Sequence, residues 1–214
     1  MASITKADAV LKKIDKFFMK ESPVHFTIRD LAQRLPENEI DYVVIGGMAL
    51  NFHGYERLTV DVDLLLTRQG LDRFTERLVG RGYIPAFPGA RKHFKHAETG
   101  VKVEIITAGE YPGDGQPKEV SFPAPADVAD DIDGIKVIKL IPLIELKLAS
   151  GLSAPHRIRD LADVQQLIER LNLAADISRN LKPSVQNEFI RLWNATKMAK
   201  SDINAPDQDV SFDI

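Results

Sequence analysis

Asp61 and Asp63 interrupt a run that is otherwise Val60, Val62, Leu64, Leu65 and Leu66. Apolar, partly β-branched runs of this length form buried strands, and residues 59–66 are expected to be one. Side chains alternate across a strand with period two, so both carboxylates leave the same face, close together. Each then raises the other's cost of ionisation, and acids among apolar neighbours are costly unless a partner neutralises them. A divalent cation removes the conflict. Magnesium prefers hard oxygen ligands and keeps waters and substrate phosphates in its shell. Whatever fold the chain adopts must therefore place an acid pair on a buried strand where an ion can reach it.

The segments around this strand predict an α+β architecture: a small mixed β-sheet with flanking helices and a C-terminal helical region. Val10, Leu11, Ile14, Phe17 and Phe18 share one helical face, with Lys12, Lys13, Lys16 and Lys20 mostly off it. A second helix is expected to start at Thr27 as cap, with Asp30 three residues on, Leu31 and Leu35 inward, and Pro36 near its end. Tyr42, Val43, Val44 and Ile45 read as a buried strand, broken by Gly46-Gly47 and followed by a short helix over 48–52. Helical spacing returns over 68–80. Short strands are expected over 83–87 and 93–96, and a stronger one over 101–107. Residues 108–133, rich in Gly, Pro and Asp, read as mostly loop, and 135–138 as a last strand. Helices follow: one with Pro142 in its first turn, one over 158–171, and one opened by Pro183 with Val185, Phe189, Leu192 and Thr196 in a stripe. The expected organisation is an N-terminal helical segment over 1–40, an α/β core over 41–140, a helical region over 141–200 and an acidic tail over 201–214.

Two further features lie near the acid pair in sequence logic. Gly46-Gly47 stands between a strand and a helix, where glycine lets backbone approach a phosphate and helix N–H groups are free; a tight strand-to-helix turn is the plainer reading. Glu104 interrupts Val101, Val103, Ile105 and Ile106 in the same manner as the aspartates. It is a candidate third carboxylate, the plainer reading being a solvent-facing residue beside Lys102. Asp131-x-Asp133-Gly134 lies among turn residues and reads as turn chemistry.

The 214 residues are 44% hydrophobic and 28% charged, which affords a sizeable core. With 31 acids against 28 bases the net charge is -3, unlike the overall basic footprint of a dedicated nucleic-acid binder. The absence of cysteine excludes disulfides, thiolate zinc sites and cysteine nucleophiles. Neither a signal peptide nor an apolar run of membrane-spanning length is evident, so a soluble, cytoplasmic protein with no membrane partner is expected.

The pattern Gly46-Gly47-x-Ala49-Leu50, His53-Gly54, Arg57-x-Thr59-x-Asp61-x-Asp63 resembles the first motif of the polymerase-beta-like nucleotidyltransferases. It is most similar to the AbiEii-type abortive-infection toxins and related small bacterial nucleotidyltransferases. Lys147-Leu148 and Arg159-Asp160-Leu161-Ala162-Asp163 resemble the helical segment that follows the sheet in those proteins, so the likeness runs over roughly residues 42–170. It implies two magnesium ions on Asp61 and Asp63, with Glu104 as third metal ligand or base. The family usually has aspartate there, one methylene shorter. It implies Gly46 and Gly47 at the triphosphate, Arg57 and Thr59 supporting the phosphates or their loop, and Lys147, Arg159 and Asp160 closing over the nucleotide. The implied activity is transfer of a nucleoside monophosphate from ATP or another nucleoside triphosphate to an acceptor hydroxyl on tRNA, protein or a small molecule. A toxin role with an antitoxin partner is included in that implication. The alternative is a degenerate member that binds nucleotide or a protein partner without turnover.

Plainer readings stand beside the remaining polar residues. His53 at a helix end caps carbonyls. Arg91, Lys92, His93, Lys95 and His96 form the one dense basic cluster, read as a solvated loop, with a phosphate-bearing acceptor as the sharper alternative. Arg159, Asp160 and Asp163 as surface charges, Lys147 paired with Glu145, and Trp193 in the core complete these readings.

Overall fold

The computed structural model describes residues 14, 16, 17, 19 and 21–203. Most of the first expected helix and most of the acidic tail, including Asp207, Asp209 and Asp213, lie outside them. The described elements are α1 (Pro23–Glu37), β1 (Tyr42–Ile45), α2 (Gly46–Phe52), β2 (Asp61–Leu66), α3 (Arg68–Leu78), β3 (Tyr83–Pro85), β4 (His93–His96) and β5 (Lys102–Thr107). They continue with α4 (Pro125–Val128), β6 (Ala129–Ile132), β7 (Ile135–Ile138), α5 (Leu140–Ser153), α6 (Ile158–Arg170) and α7 (Pro183–Ile203). The α+β class with a mixed sheet is as expected from the sequence.

The strands form one seven-stranded sheet in the order β3-β4-β5-β2-β1-β7-β6, which puts β2 at its centre. β2 runs antiparallel to β1 and parallel to β5, and β1 is parallel to β7. On one face Val62, Val103 and Phe94 are buried in register across β2, β5 and β4. α3 supplies Phe74 against this layer, its ring 4.9 Å from Phe94 and 5.3 Å from Tyr83. α1 adds Ile28, Leu31 and Leu35, all buried.

Several elements differ from the sequence reading for identifiable reasons. α1 begins at Pro23 with Ser22 as N-cap; Thr27 is buried inside it, its hydroxyl donating to the Pro23 carbonyl (2.9 Å) and paired with Thr99 (2.8 Å). Asp30 is therefore no cap partner and instead accepts from the Tyr83 hydroxyl at 2.5 Å. α2 starts at Gly46, so Gly47 lies in its first turn while Gly46 keeps a positive φ. β2 starts at Asp61, leaving Thr59 and Val60 in the approach. The stretch 108–133 hides α4 and β6. β6 is half acidic, with Asp130 and Asp131, and exists because it pairs with β7 as an edge hairpin. Its turn holds Asp131 Oδ1 accepting from Gly134 N–H (2.9 Å), with Asp133 at φ 52°, the turn chemistry expected. His53 caps α2, its N–H on the Ala49 carbonyl (3.1 Å), while its ring donates to the Ile138 carbonyl (2.7 Å) and ties α2 to β7. Trp193 is half-buried, its indole N–H on the Leu173 carbonyl (2.9 Å). No helix among the described residues is long and apolar enough to cross a membrane.

The Tyr83 hydroxyl is buried, and burial followed by its bond to Asp30 pushes its pKa far up. Asp30 also lies 3.5 Å from the buried His96, so one carboxylate joins α1 to β3 and β4. Tyr83→Phe strips Asp30 of that donor and should cost about 1–2 kcal/mol, lowering the thermal midpoint by a few degrees in calorimetry.

Candidate active site

Asp61 and Asp63 leave the same face of β2: both are partly exposed while Val62 between them is fully buried. The loop before β2 is set by Asn51 of α2. Its amide donates to the Gly47 carbonyl (3.0 Å) and the Arg57 carbonyl (2.8 Å), and accepts from Arg57 N–H (3.0 Å). That loop brings Thr59, whose hydroxyl donates to Asp61 Oδ1 at 2.8 Å.

Gly46 has φ +64°, and a Cβ there would lie 1.8 Å from Asp63 Oδ2. The glycine is thus required both by the turn out of β1 and by the carboxylate pressed against it. Gly47 is packed by Thr59 Oγ1 and Arg57, and its N–H favours the ionised form of the Asp63 carboxylate. The glycine pair therefore cradles a carboxylate of the site in addition to shaping the turn.

Parallel pairing of β2 with β5 puts Glu104 in register with Asp63 and Lys102 in register with Asp61. Glu104 faces the acid side, as expected, but its partner is His93 on β4, Nε2 to Oε1 3.6 Å, and not Lys102. Burial, then Asp61, then Glu104 push the Asp63 carboxyl up to about 7. Among the described residues no three acidic or histidine side chains converge as a ready ion cage; the arrangement is a close aspartate pair with a more open glutamate beside it.

The cations are held a step away. Lys147 of α5 donates to Asp160 Oδ1 (2.9 Å) and Asp163 Oδ2 (2.7 Å) on α6. Arg57 Nη1 reaches both oxygens of Asp163 (2.8 and 3.0 Å), and Ser150 donates to Asp160 Oδ2 (2.7 Å). Asp163, with a side chain only 4% exposed, thus holds two cations, and Arg57 Nε is buried without a partner. Lys147 does not pair with Glu145, and Asp160 and Asp163 are not surface charges. Among the described residues neither Asp61 nor Asp63 is ion-paired, because Lys147 and Arg57 are taken by these acids.

Two cavities meet over Asp63. One, of about 260 Å³, is lined by Gly46, Gly47, Asp61, Arg57, Lys147 and Arg159, with Arg157 and His156 at its rim. The other, of about 250 Å³, lies over Glu104 and has the apolar walls Ile106, Phe122, Leu143 and Leu146, with Tyr111. Every site residue expected from the sequence lines one or both, or, like Thr59, bonds a residue that does. Asp163, Arg157, Ser150 and Tyr111 were not singled out as site residues. Asp163 alone carried a signal, lying three residues from Asp160 on one helical face.

A metal fits this donor set. The paired carboxylates offer hard oxygens, carry no protein counter-ion, and in Asp63 pay visibly for ionising.

The fold is shared with one of the solved structures to which the chain is similar. An antigenic nucleotidyltransferase-like protein from Paracoccidioides brasiliensis superposes with a TM-score of 0.53 at 17% identity, over 84% of this chain and 91% of that one. JHP933 from Helicobacter pylori gives 0.44 at 15% identity, over 94% and 95%. ANT(2")-Ia in complex with adenylyl-2"-tobramycin gives 0.46 at 11%, over 81% and 97%. At 17% identity the likeness to the Paracoccidioides protein is one of fold. No family model and no curated protein matches the sequence.

Asp63 binds its proton more tightly folded than unfolded. Its contribution to stability is full below about pH 4 and is lost as pH rises through about 7. In chelator, Asp63→Asn should therefore flatten the fall of the thermal midpoint between pH 5 and 8, worth on the order of 2 kcal/mol at pH 8 after screening. Asp163→Ala strands the largely buried Arg57 and leaves Lys147 with Asp160 alone, and should cost about 3–5 kcal/mol in denaturant titration.

Proposed function

Since the chain carries the polymerase-beta-like nucleotidyltransferase fold, we propose that it transfers a nucleoside monophosphate from a nucleoside triphosphate to an acceptor hydroxyl, with magnesium on Asp61 and Asp63. The observation that carries this reading is the unpaired acid pair on the central strand, opening on a cavity also lined by Arg157 and Arg159 and by the Lys147 and Arg57 pairs with Asp160 and Asp163. Asp61 and Asp63 would hold the magnesium, which would supply charge neutralisation for the phosphates of an in-line displacement. The chain's own residues do the positioning. Gly46 and Gly47 keep the approach to Asp63 free of side chains. Thr59 orients Asp61. Lys147, Arg157 and Arg159 line the cavity as the triphosphate's counter-charges, and Asp160 and Asp163 fix the first of them. Arg57, anchored by Asp163, leaves its buried Nε as a donor still to be used.

In the step itself the acceptor oxygen bonds the α-phosphorus as the bond to the bridging oxygen breaks, and pyrophosphate leaves. The acceptor proton passes to Glu104, the carboxylate most open to solvent of the three, and on to water. The protein's share is placement and charge neutralisation. A toxin role would add an antitoxin partner. A chain that binds nucleotide without turnover is the rival reading, supported by the open position of Glu104.

Asp61→Asn should reduce transfer of α-labelled nucleoside triphosphate by at least about a thousandfold while leaving the fold intact. Equal labelling by the variant and the parent would dispose of this assignment, and triphosphate binding with no labelled acceptor in the parent would favour the rival.

A further inference from the structure

The acid pair lies at one end of an open sheet face. β5 and β4 pair in register, His93 with Glu104 and Lys95 with Lys102, and β3 adds Ile84 opposite Lys95. Two lateral rows result on the side away from the core: Asp63, Glu104, His93, and Asp61, Lys102, Lys95, Ile84. Residues of the intervening row, Val62, Val103 and Phe94, are buried, so the pleat turns these two rows outward. Glu104, His93, Lys102 and Ile84 are exposed and Lys95 partly so. Beyond β3, Phe87 is 55% exposed and its ring lies 5.8 Å from that of His93. Arg91, also exposed, precedes β4. Of the cluster read from sequence as a solvated loop, His93–His96 form strand β4, with His96 withdrawn into the core, and Lys92 just before it is bound to Glu110 and Thr107.

Beyond the aspartates, Glu104 is the one acid in these rows, against His93, Lys95 and Lys102, with Arg91 at the margin. A partner for this face needs negative charge spaced along its length and a flat π surface for Phe87. Single-stranded nucleic acid has both, and sheets that bind it pair basic side chains with exposed aromatics. From β2 to β3 the strip spans three interstrand spacings, about 14 Å, enough for a few nucleotides. Its inner end is the acid pair, where an acceptor hydroxyl has to be.

Resting on the transferase reading, we propose that the open face of β5, β4 and β3 holds a single-stranded nucleic acid as acceptor. Its phosphates lie on Lys95, Lys102 and Arg91, a base stacks on Phe87, and its terminal hydroxyl lies beside Asp63 and Glu104. That hydroxyl is then the oxygen that bonds the α-phosphorus as pyrophosphate leaves.

The test is fluorescence anisotropy with a labelled oligonucleotide of roughly twelve nucleotides, in chelator and without triphosphate. Separate arms carry RNA, DNA and a duplex. Binding of a single strand that weakens steeply with salt is expected, with the tighter of RNA and DNA identifying the natural acceptor. Lys95→Glu combined with Arg91→Glu should weaken binding tenfold or more, and Phe87→Ala about tenfold; all three residues are at least partly exposed, so unchanged thermal midpoints serve as the folding control. Absence of binding, equal affinity for the duplex, or indifference to these substitutions overturns the proposal, as does capture of an acidic protein on this face in place of the strand. Because no magnesium or triphosphate is present, a chain that binds the strand and transfers nothing overturns the transferase reading alone. One that transfers to another acceptor and ignores the strand overturns this proposal alone.

Discussion

Two carboxylates side by side on the central strand of a sheet cannot be tolerated by chance, and much of the molecule is arranged around that charge. Placing them in the interior costs desolvation, and each worsens the other's position. A soluble protein would ordinarily settle such a pair with lysine or arginine. Here Lys147 and Arg57 stand within reach of the site but are claimed by Asp160 and Asp163. The negative charge is thereby left open, and Asp63 registers the strain as a carboxyl titrating near neutrality. The same pairing keeps Lys147 and Arg57, held by Asp160 and Asp163, in the lining of the cavity that the two aspartates enter.

The fold makes this separation possible by dividing the labour between a sheet and a helical layer. β2 and β5 present the acids, α5 and α6 present the Lys147 network, and the cavities are the space between. Gly46 is the point where the two meet, since only a residue without Cβ leaves Asp63 its room. The helical layer covers only part of that sheet face. Past β2 the strands β5, β4 and β3 have one buried and one open side, and the open side continues from the acids with basic and aromatic side chains.

Much of this was legible in the chain because short-range rules govern it. Period-two alternation predicts that Asp61 and Asp63 share a face and that Glu104 opposes Val103 and Ile105. Glycines after a β-branched run predict a turn, and the stripe from Val185 to Thr196 predicts a buried helix face. Errors fell where a segment's state depends on what it touches. β6, with Asp130 and Asp131 at its middle, is a strand because β7 offers it a ladder, Thr27 is interior because Thr99 meets it, and the His53 ring reaches β7.

By itself, then, the sequence determined that an acid pair would sit on a buried strand beside a glycine turn, since local periodicity and backbone sterics act within a few residues. Only the tertiary structure decided which counter-charges were kept from that pair, for the contact between Arg57 and Asp163 spans 106 positions of chain. Strand register likewise decided that Glu104 stands level with Asp63, and that Lys95 and Lys102 share an open face. Register and ion pairing arise from long-range packing, which no local pattern encodes.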